Sequence, residues 1–361
     1  MKKKKAISAV LAASMLAAVI LPGCGSDENS GVTEIEILQY KPEAATYFDQ
    51  VEEQFNATHD DIHLTISSPN DASTIMRTRF VRDDYPDIIG IGGDINYSYY
   101  VDADILADVS DYPGLADVKQ SYLDILKNLE ITPKDGVFGV PYVANAAGIL
   151  YNKDMFEEHG WQIPESWDEL IDLCEEIKSE GILPFYFGFR DTWTCLAPWN
   201  SLAVDLAPAD TCLELVSYGP DDPVAYGYND ACTAFANGES AMYPIGSYAV
   251  PQILSVNPDM NIDSFVTPGN DDPEKNTLNS GVDLMFAVTA ACEHKEEAYE
   301  VLDFLMEDEN IQAYIDDQNA VPCKEGDFDL APMLDGMQSY IESGNMTDYQ
   351  DHYYPSEMAA D

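Results

Sequence analysis

The stretch VFGVPYVANAAGILYNKDMFEEHGWQIPESWDELIDLCEEIKSEGILPFYFGFRDTW, Val137–Trp193, decides how this 361-residue chain is read. It opens as a short strand, Val137–Val143, passes through small residues from Ala144 to Gly148, and resumes as a strand at Ile149–Tyr151. A polar turn at Asn152 and Asp154 opens a short helix, and the loop Gly160–Pro164 follows. Then comes a well-marked helix start. Ser166 can cap, Glu169 sits three residues on, and Leu170, Leu173, Cys174 and Ile177 recur at helical spacing. Gly181 ends that helix, and an apolar strand leads to Arg190, Asp191 and Trp193. The chain leaves one βα layer, crosses over and starts another. This predicts a hinge between two lobes, with a binding wall at its far end.

Upstream, Glu34–Gln39 alternates apolar and polar as a half-buried strand does. Tyr47, Phe48, Val51 and Phe55 mark one helix face, and Ile62–Ile66 is a second strand. A helix to Val81 and a strand at Ile88–Ile91 complete β-α-β-α-β, which predicts an α/β fold with a mainly parallel sheet flanked by helices. Ligands of such sheets sit beyond the carboxyl ends of the strands, here Tyr40, Asn70 and the turn Gly92–Gly93–Asp94. Downstream, helices are expected over Leu196–Leu206, Asp210–Tyr218, Asn229–Asn237, Ser247–Leu254, His294–Met306 and Asn310–Asp317. Strands are expected over Ala241–Tyr243, Asn261–Val266 and Gly281–Thr289.

The first residues read as export machinery. Lys2–Lys5 is a basic start, and Ala6–Ile20 is an apolar run short of the ~20 residues a membrane span needs. Leu21–Pro22–Gly23–Cys24 resembles a bacterial lipobox, with cleavage before Cys24 and lipid on its sulfur. Residues 1–23 are then a leader and 24–31 a Gly/Ser-rich tether. The mature protein is expected on the extracytoplasmic face of the cell membrane, held there only by its lipid. With 66 acidic against 17 basic residues the chain carries a formal charge of −49. That excludes nucleic acid, whose phosphates need a basic surface, and disfavours polyanionic ligands. The six cysteines beyond Cys24 form no CxxC pair, so no zinc knuckle is expected, and their spacing leaves any disulfide pairing open.

Four segments in order carry a family resemblance: Tyr85–Ile88 followed by Leu106–Ser110; Gly148–Asp154 followed by Pro164–Leu170; Phe235–Met242; and Gly281–Ala290 with its trailing helix. Together they resemble the solute-binding proteins of sugar-importing ABC transporters, of the maltose-binding-protein-like group. The resemblance implies a type II two-lobed fold that closes on ligand, with no catalysis and no cofactor. Its implied partners are a sugar, an oligosaccharide, and the membrane permease, and the chain is expected as a monomer. Crossings are placed near Ala144–Gly148, Pro268–Ser280 and Ala320–Cys323. The lobes are then 32–144 with 281–319, and 145–280 with 320–361. Relatives usually continue into a final helix where this sequence stops, at Ser356–Asp361, so a shortened second lobe is expected.

Sugars are held by aromatic faces on the C–H side of the ring and by polar side chains on the hydroxyls. Candidates from the first lobe are Tyr40 after the first strand and Asp94 after the third, the latter equally able to cap the helix at Ile95. Asn145 sits in the crossover. Asp191, Trp193 and Trp199 bracket a helix start, although Trp199 could instead pack beneath it. Tyr243 and Ser247, with Tyr248, surround a strand-to-helix turn. Gly281 and Asp283 open the returning strand, where glycine permits close backbone approach. Enzymatic signatures fail: there is no HExxH, GxSxG or P-loop. Asp259, Asn261 and Asp263 start like a calcium loop but meet Ser264 and Asn270 where glycine and glutamate belong, so no metal is expected. Two alternatives stay open: a cationic ligand such as a polyamine, suggested by the acidity, and a secreted glycoside hydrolase.

Overall fold

A computed structural model of the chain describes residues 31–205, 207 and 209–354. The leader, most of the tether with Cys24, and the last seven residues lie outside them. The strands are β1 (Thr33–Gln39), β2 (Ile62–Ser67), β3 (Ile88–Ile91), β4 (Val140–Ala144), β5 (Ala147–Asn152) and β6 (Leu183–Phe185). They continue as β7 (Ser240–Gly246), β8 (Ile262–Phe265), β9 (Leu278–Asn279), β10 (Val282–Val288), β11 (Val321–Pro322) and β12 (Met346–Thr347). Two sheets result, ordered β11-β4-β10-β3-β1-β2 and β12-β9-β5-β7-β6, with β8 also on β5.

The α/β class and the two sheets match the expectation; the strand directions differ from it. β1 runs parallel to β2 and β3, as β-α-β-α-β requires. β10 is antiparallel to both β3 and β4, and β5 is antiparallel to β7 and β8, so both sheets are mixed. None of these antiparallel pairs is joined by a single βα crossover: β4 passes to β5 and β9 to β10 in two residues each, so β5 and β10 enter their sheets directly from the other sheet.

Side-chain alternation builds the cores. Ile35 and Ile37 of β1 face the helix Ala45–Thr58 through Phe48, Val51 and Phe55, while Leu38 faces the opposite layer with Met76 and Tyr97. In the second sheet the helix Trp167–Ser179 buries Leu170, Leu173, Cys174 and Ile177 against Ile149, Met242 and Phe265. Its cap forms as read: Ser166 accepts from the Glu169 N–H at 3.3 Å. The Glu169 carboxylate accepts from Glu165 rather than from Ser166, one residue before a reciprocal capping box. Trp161 is buried on His159 and Phe156.

Three crossings join the sheets. At the first, the Asn145 N–H donates to the Gly281 carbonyl at 3.2 Å, tying it to the second. The third falls later than expected. β11 at Val321–Pro322 still pairs with β4, Cys323 donates to the Tyr142 carbonyl, and the chain reaches the other sheet at the 3-10 turn Pro332–Met337. That turn seats where the Ser264 hydroxyl donates to the Met333 carbonyl at 2.6 Å. Among the described residues no helix is long and apolar enough to cross a membrane, no His/Cys/Asp/Glu group could hold a metal, and all six cysteines are free.

Candidate functional site

A cavity of about 630 Å³ opens at the first crossing, lined by Asn145, by Lys41 and Asp283 from the first sheet's side, and by helices and 3-10 turns from the second sheet's side. Such a size falls within the roughly 300–1,000 Å³ typical of small-ligand sites. One wall is aromatic. Trp193 follows the Asp191 turn and remains 44% exposed; its ring centroid lies 5.0 Å from Tyr228 and 6.1 Å from Tyr248. The opposite side is polar and comes from the first sheet. Lys41, just beyond β1, pairs with Asp283 of β10 at 2.9 Å and with Glu43 at 3.3 Å. Burial alone would lower the Lys41 pKa, but Asp283, Tyr314 and Glu43 outweigh it, so the ammonium is held charged above its ordinary value.

The floor is the crossing itself. Asn145 Nδ2 donates to Asp283 Oδ1 at 3.3 Å, while its Oδ1 is buried with no partner. Tyr349, which also lines the cavity, has a buried hydroxyl without a partner. Buried polar atoms are normally satisfied, so these two leave unused hydrogen-bonding capacity beneath the cavity. The third side is a C-terminal strap. β12 pairs in parallel with β9, and a 3-10 turn at Gln350–Tyr353 brings Asp351 and His352 to the cavity. Asp351 is fixed by Asn200: the amide Nδ2 donates to the carboxylate at 2.5 Å, and the Asp351 N–H returns a bond to Asn200 Oδ1 at 3.2 Å.

The structure thus brings Asn145, Trp193 and Asp283 to the lining and places the other candidates behind it. The Tyr40 hydroxyl donates to the Asp283 carbonyl and packs at Gly92, supporting the floor from below. Asp94 accepts from the Asn96 N–H at 2.7 Å as the cap of the helix Ile95–Asp102. Asp191 accepts from the Tyr228 N–H at 2.7 Å, which sets the aromatic wall. Trp199 donates from Nε1 to the Tyr354 hydroxyl at 3.2 Å and so holds the strap. Tyr243 is 1% exposed against Phe235, because the pleat turns position 243 inward. Ser247 is 2% exposed, with its N–H on the Ala146 carbonyl; its neighbour Tyr248 is the one that lines the cavity. Gly281 lies under the strap, where a Cβ would meet Asp348 at 2.3 Å.

Sequence reasoning missed Lys41, Asn200, Tyr228 and the strap. Lys41 and Tyr228 each follow an element boundary, a signal that was available. Nothing local marks the strap, since Met346 pairs with Leu278 far back in the chain.

A family model described as "Bacterial extracellular solute-binding protein" matches residues 40–312. The "Multiple sugar-binding protein" of Streptococcus mutans is 29% identical over 338 residues, covering 83% of this chain and 78% of the relative. The "Melibiose/raffinose/stachyose-binding protein MelE" of Bacillus subtilis is 28% identical over 204 residues, covering 53% of this chain and 46% of its own length. Among solved structures, the apo-form of RafE from Streptococcus pneumoniae superposes with a TM-score of 0.81 at 24% identity, covering 91% of each chain. A solute-binding protein RafE in complex with raffinose gives 0.74 at 24% identity, with 90% of this chain and 92% of that chain covered. Both likenesses establish the fold. With the family match spanning most of the chain, the protein belongs to the bacterial extracellular solute-binding proteins.

Proposed function

We propose that this chain captures a sugar, an oligosaccharide, by closure of its two lobes and delivers it to an ABC-type permease. The carrying observation is one cavity lined by an aromatic cluster, Trp193, Tyr228 and Tyr248, together with the polar side chains of Lys41, Asn145, Asp283 and Asp351. A sugar ring offers those two surfaces, C–H faces and hydroxyls. The names of the relatives, which bind sugars up to raffinose and stachyose, support the same reading. A polyamine fits less well: it would meet the Lys41 ammonium, and Asp283 is already neutralised by that lysine. A hydrolase is set aside, since the family binds solutes rather than cleaving them. We assign the lobes by the same reading, 32–144 with 281–323 in one and 145–280 with 324–354 in the other. Anchorage through lipid on Cys24, and a monomeric state, belong to the same proposal.

A thermal-shift screen with melibiose, raffinose, stachyose, monosaccharides and spermidine tests it. A ligand bound only to the folded state adds RT ln(1 + [L]/Kd), about 2.7 kcal/mol at a hundredfold excess over Kd. A shift with an oligosaccharide supports the reading; a shift with spermidine alone overturns it.

A further inference from the structure

The cavity lining holds two basic side chains, Lys41 and His352. Lys41 is committed to Asp283 and Glu43. His352 is built differently. Its Nδ1 lies 2.9 Å from Asp348 Oδ1, one turn earlier in the strap. Asp348 is a carboxylate only 2% exposed, and the same oxygen accepts the Tyr349 N–H at 2.8 Å. The Tyr349 ring flanks the imidazole at 5.0 Å. Gly281 is what lets this cluster seat on the crossing, since a side chain there would collide with Asp348, Tyr349 and His352 together. In the imidazolium Nδ1–H goes to Asp348 and Nε2–H is a second donor, whereas in the neutral ring that keeps Nδ1–H the Nε2 atom can only accept.

We propose that Asp348 positions and charges His352, and that His352 Nε2–H donates to a hydroxyl of the bound sugar, so that ligand affinity falls as His352 loses its proton. The proposal rests on the sugar reading above. Burial alone would lower the imidazole pKa; Asp348, by charge and hydrogen bond, then Asp351 in the strap and Asp94 at the helix cap facing it, raise it to about 9. Burial pushes the Asp348 carboxyl upward and the imidazolium draws it back. Burial holds Tyr228, Tyr248 and Tyr349 above their ordinary values, and Lys41 is raised by Asp283. The tyrosines are thereby kept neutral and Lys41 charged across the range in which His352 is expected to titrate.

Two measurements on the full chain decide the matter. The first is a ligand-free NMR titration, in which the imidazole signal absent from His352→Gln identifies the residue. In the wild type it is expected to titrate near 9. In Asp348→Asn it should move down toward the ordinary value of about 6.5. A wild-type value near 6.5 overturns the proposal. The second is calorimetry with raffinose and stachyose at pH 7 and pH 10, with urea midpoints confirming that each variant is folded. Wild-type affinity should fall about tenfold between the two, as a charge-assisted bond gives way to a weaker one, while His352→Gln is weak and flat with pH. Wild-type binding that is flat with pH removes the donor role alone and needs no variant. Wild-type protein that binds neither sugar at pH 7 and shifts in melting only with spermidine removes the sugar reading together with the donor role, and the NMR value still reports on the Asp348–His352 pair.

Discussion

Replacing Gly281 by alanine tests whether the strap is part of the ligand site. Its Cβ would stand 2.3 Å from Asp348 Oδ1, 2.8 Å from Tyr349 Cδ2 and 3.2 Å from His352 Cε1. Non-bonded heavy atoms settle near 3.5–4.0 Å, so the strap must retreat by roughly 1 Å. Overpacking of this kind costs about 1–3 kcal/mol. The upper half, about 2–3 kcal/mol, is expected, because the retreat also loosens the contact between a buried carboxylate and its imidazolium partner. Urea unfolding should show a lower midpoint with an unchanged slope. Raffinose affinity should drop about tenfold or more, since 1.4 kcal/mol is a factor of ten and three lining residues move together. Gly160→Ala is the control. Nothing lies within 4 Å of that Cβ, but φ is +78°, so it should lose about 1 kcal/mol to backbone strain with no loss of affinity. A Gly281→Ala protein with wild-type midpoint and affinity would refute the role given to the strap.

Trp193→Ala should weaken oligosaccharide binding by about 1–3 kcal/mol, from lost apolar contact and ring stacking, and leave the urea midpoint nearly unchanged, because the ring is already 44% exposed. Calorimetry checks it, and unchanged affinity removes Trp193 from the site. Asp205 gives a pH signature in stability. It accepts from the N–H groups of Gly269 and Thr277 at 3.1 and 2.8 Å, clipping the loop that precedes the second crossing, and burial pushes its carboxyl up to about 6. The folded value exceeds the unfolded one of about 3.9, so this group's stabilisation is complete below about pH 4 and lost as pH rises through 6. Relative to Asp205→Asn, wild-type stability should decline by on the order of 2 kcal/mol between pH 4 and 7; parallel profiles would contradict it.

Much of the scaffold was legible because its signals are local. The helix Trp167–Ser179 announced itself through Ser166 and a 3.6-residue apolar repeat, and β1 to β3 through the β-α-β-α-β rhythm. Gln120–Leu129 escaped notice, although Tyr122, Ile125, Leu126 and Leu129 carry the same repeat. The cavity lining was legible at Asn145 in the crossing and at Asp283 near the start of β10, while Trp193 lies in the 3-10 turn Thr192–Cys195. It was misplaced at Tyr243, because alternation says that successive side chains oppose one another and not which face is the cleft.

Local signals in the chain suffice for the α/β class, the short crossing at 144–148 and the family resemblance, since each rests on propensity, periodicity or ordered motifs. The strand directions, the neutralisation of Asp283 by Lys41 and the third side of the cavity emerge only in the folded molecule. Those depend on contacts between residues far apart in the chain: Met346 beside Leu278, and Asn200 bonded to Asp351. Such pairings gain their energy from burial and hydrogen bonding that exist only once both segments are in place, so no local pattern records them.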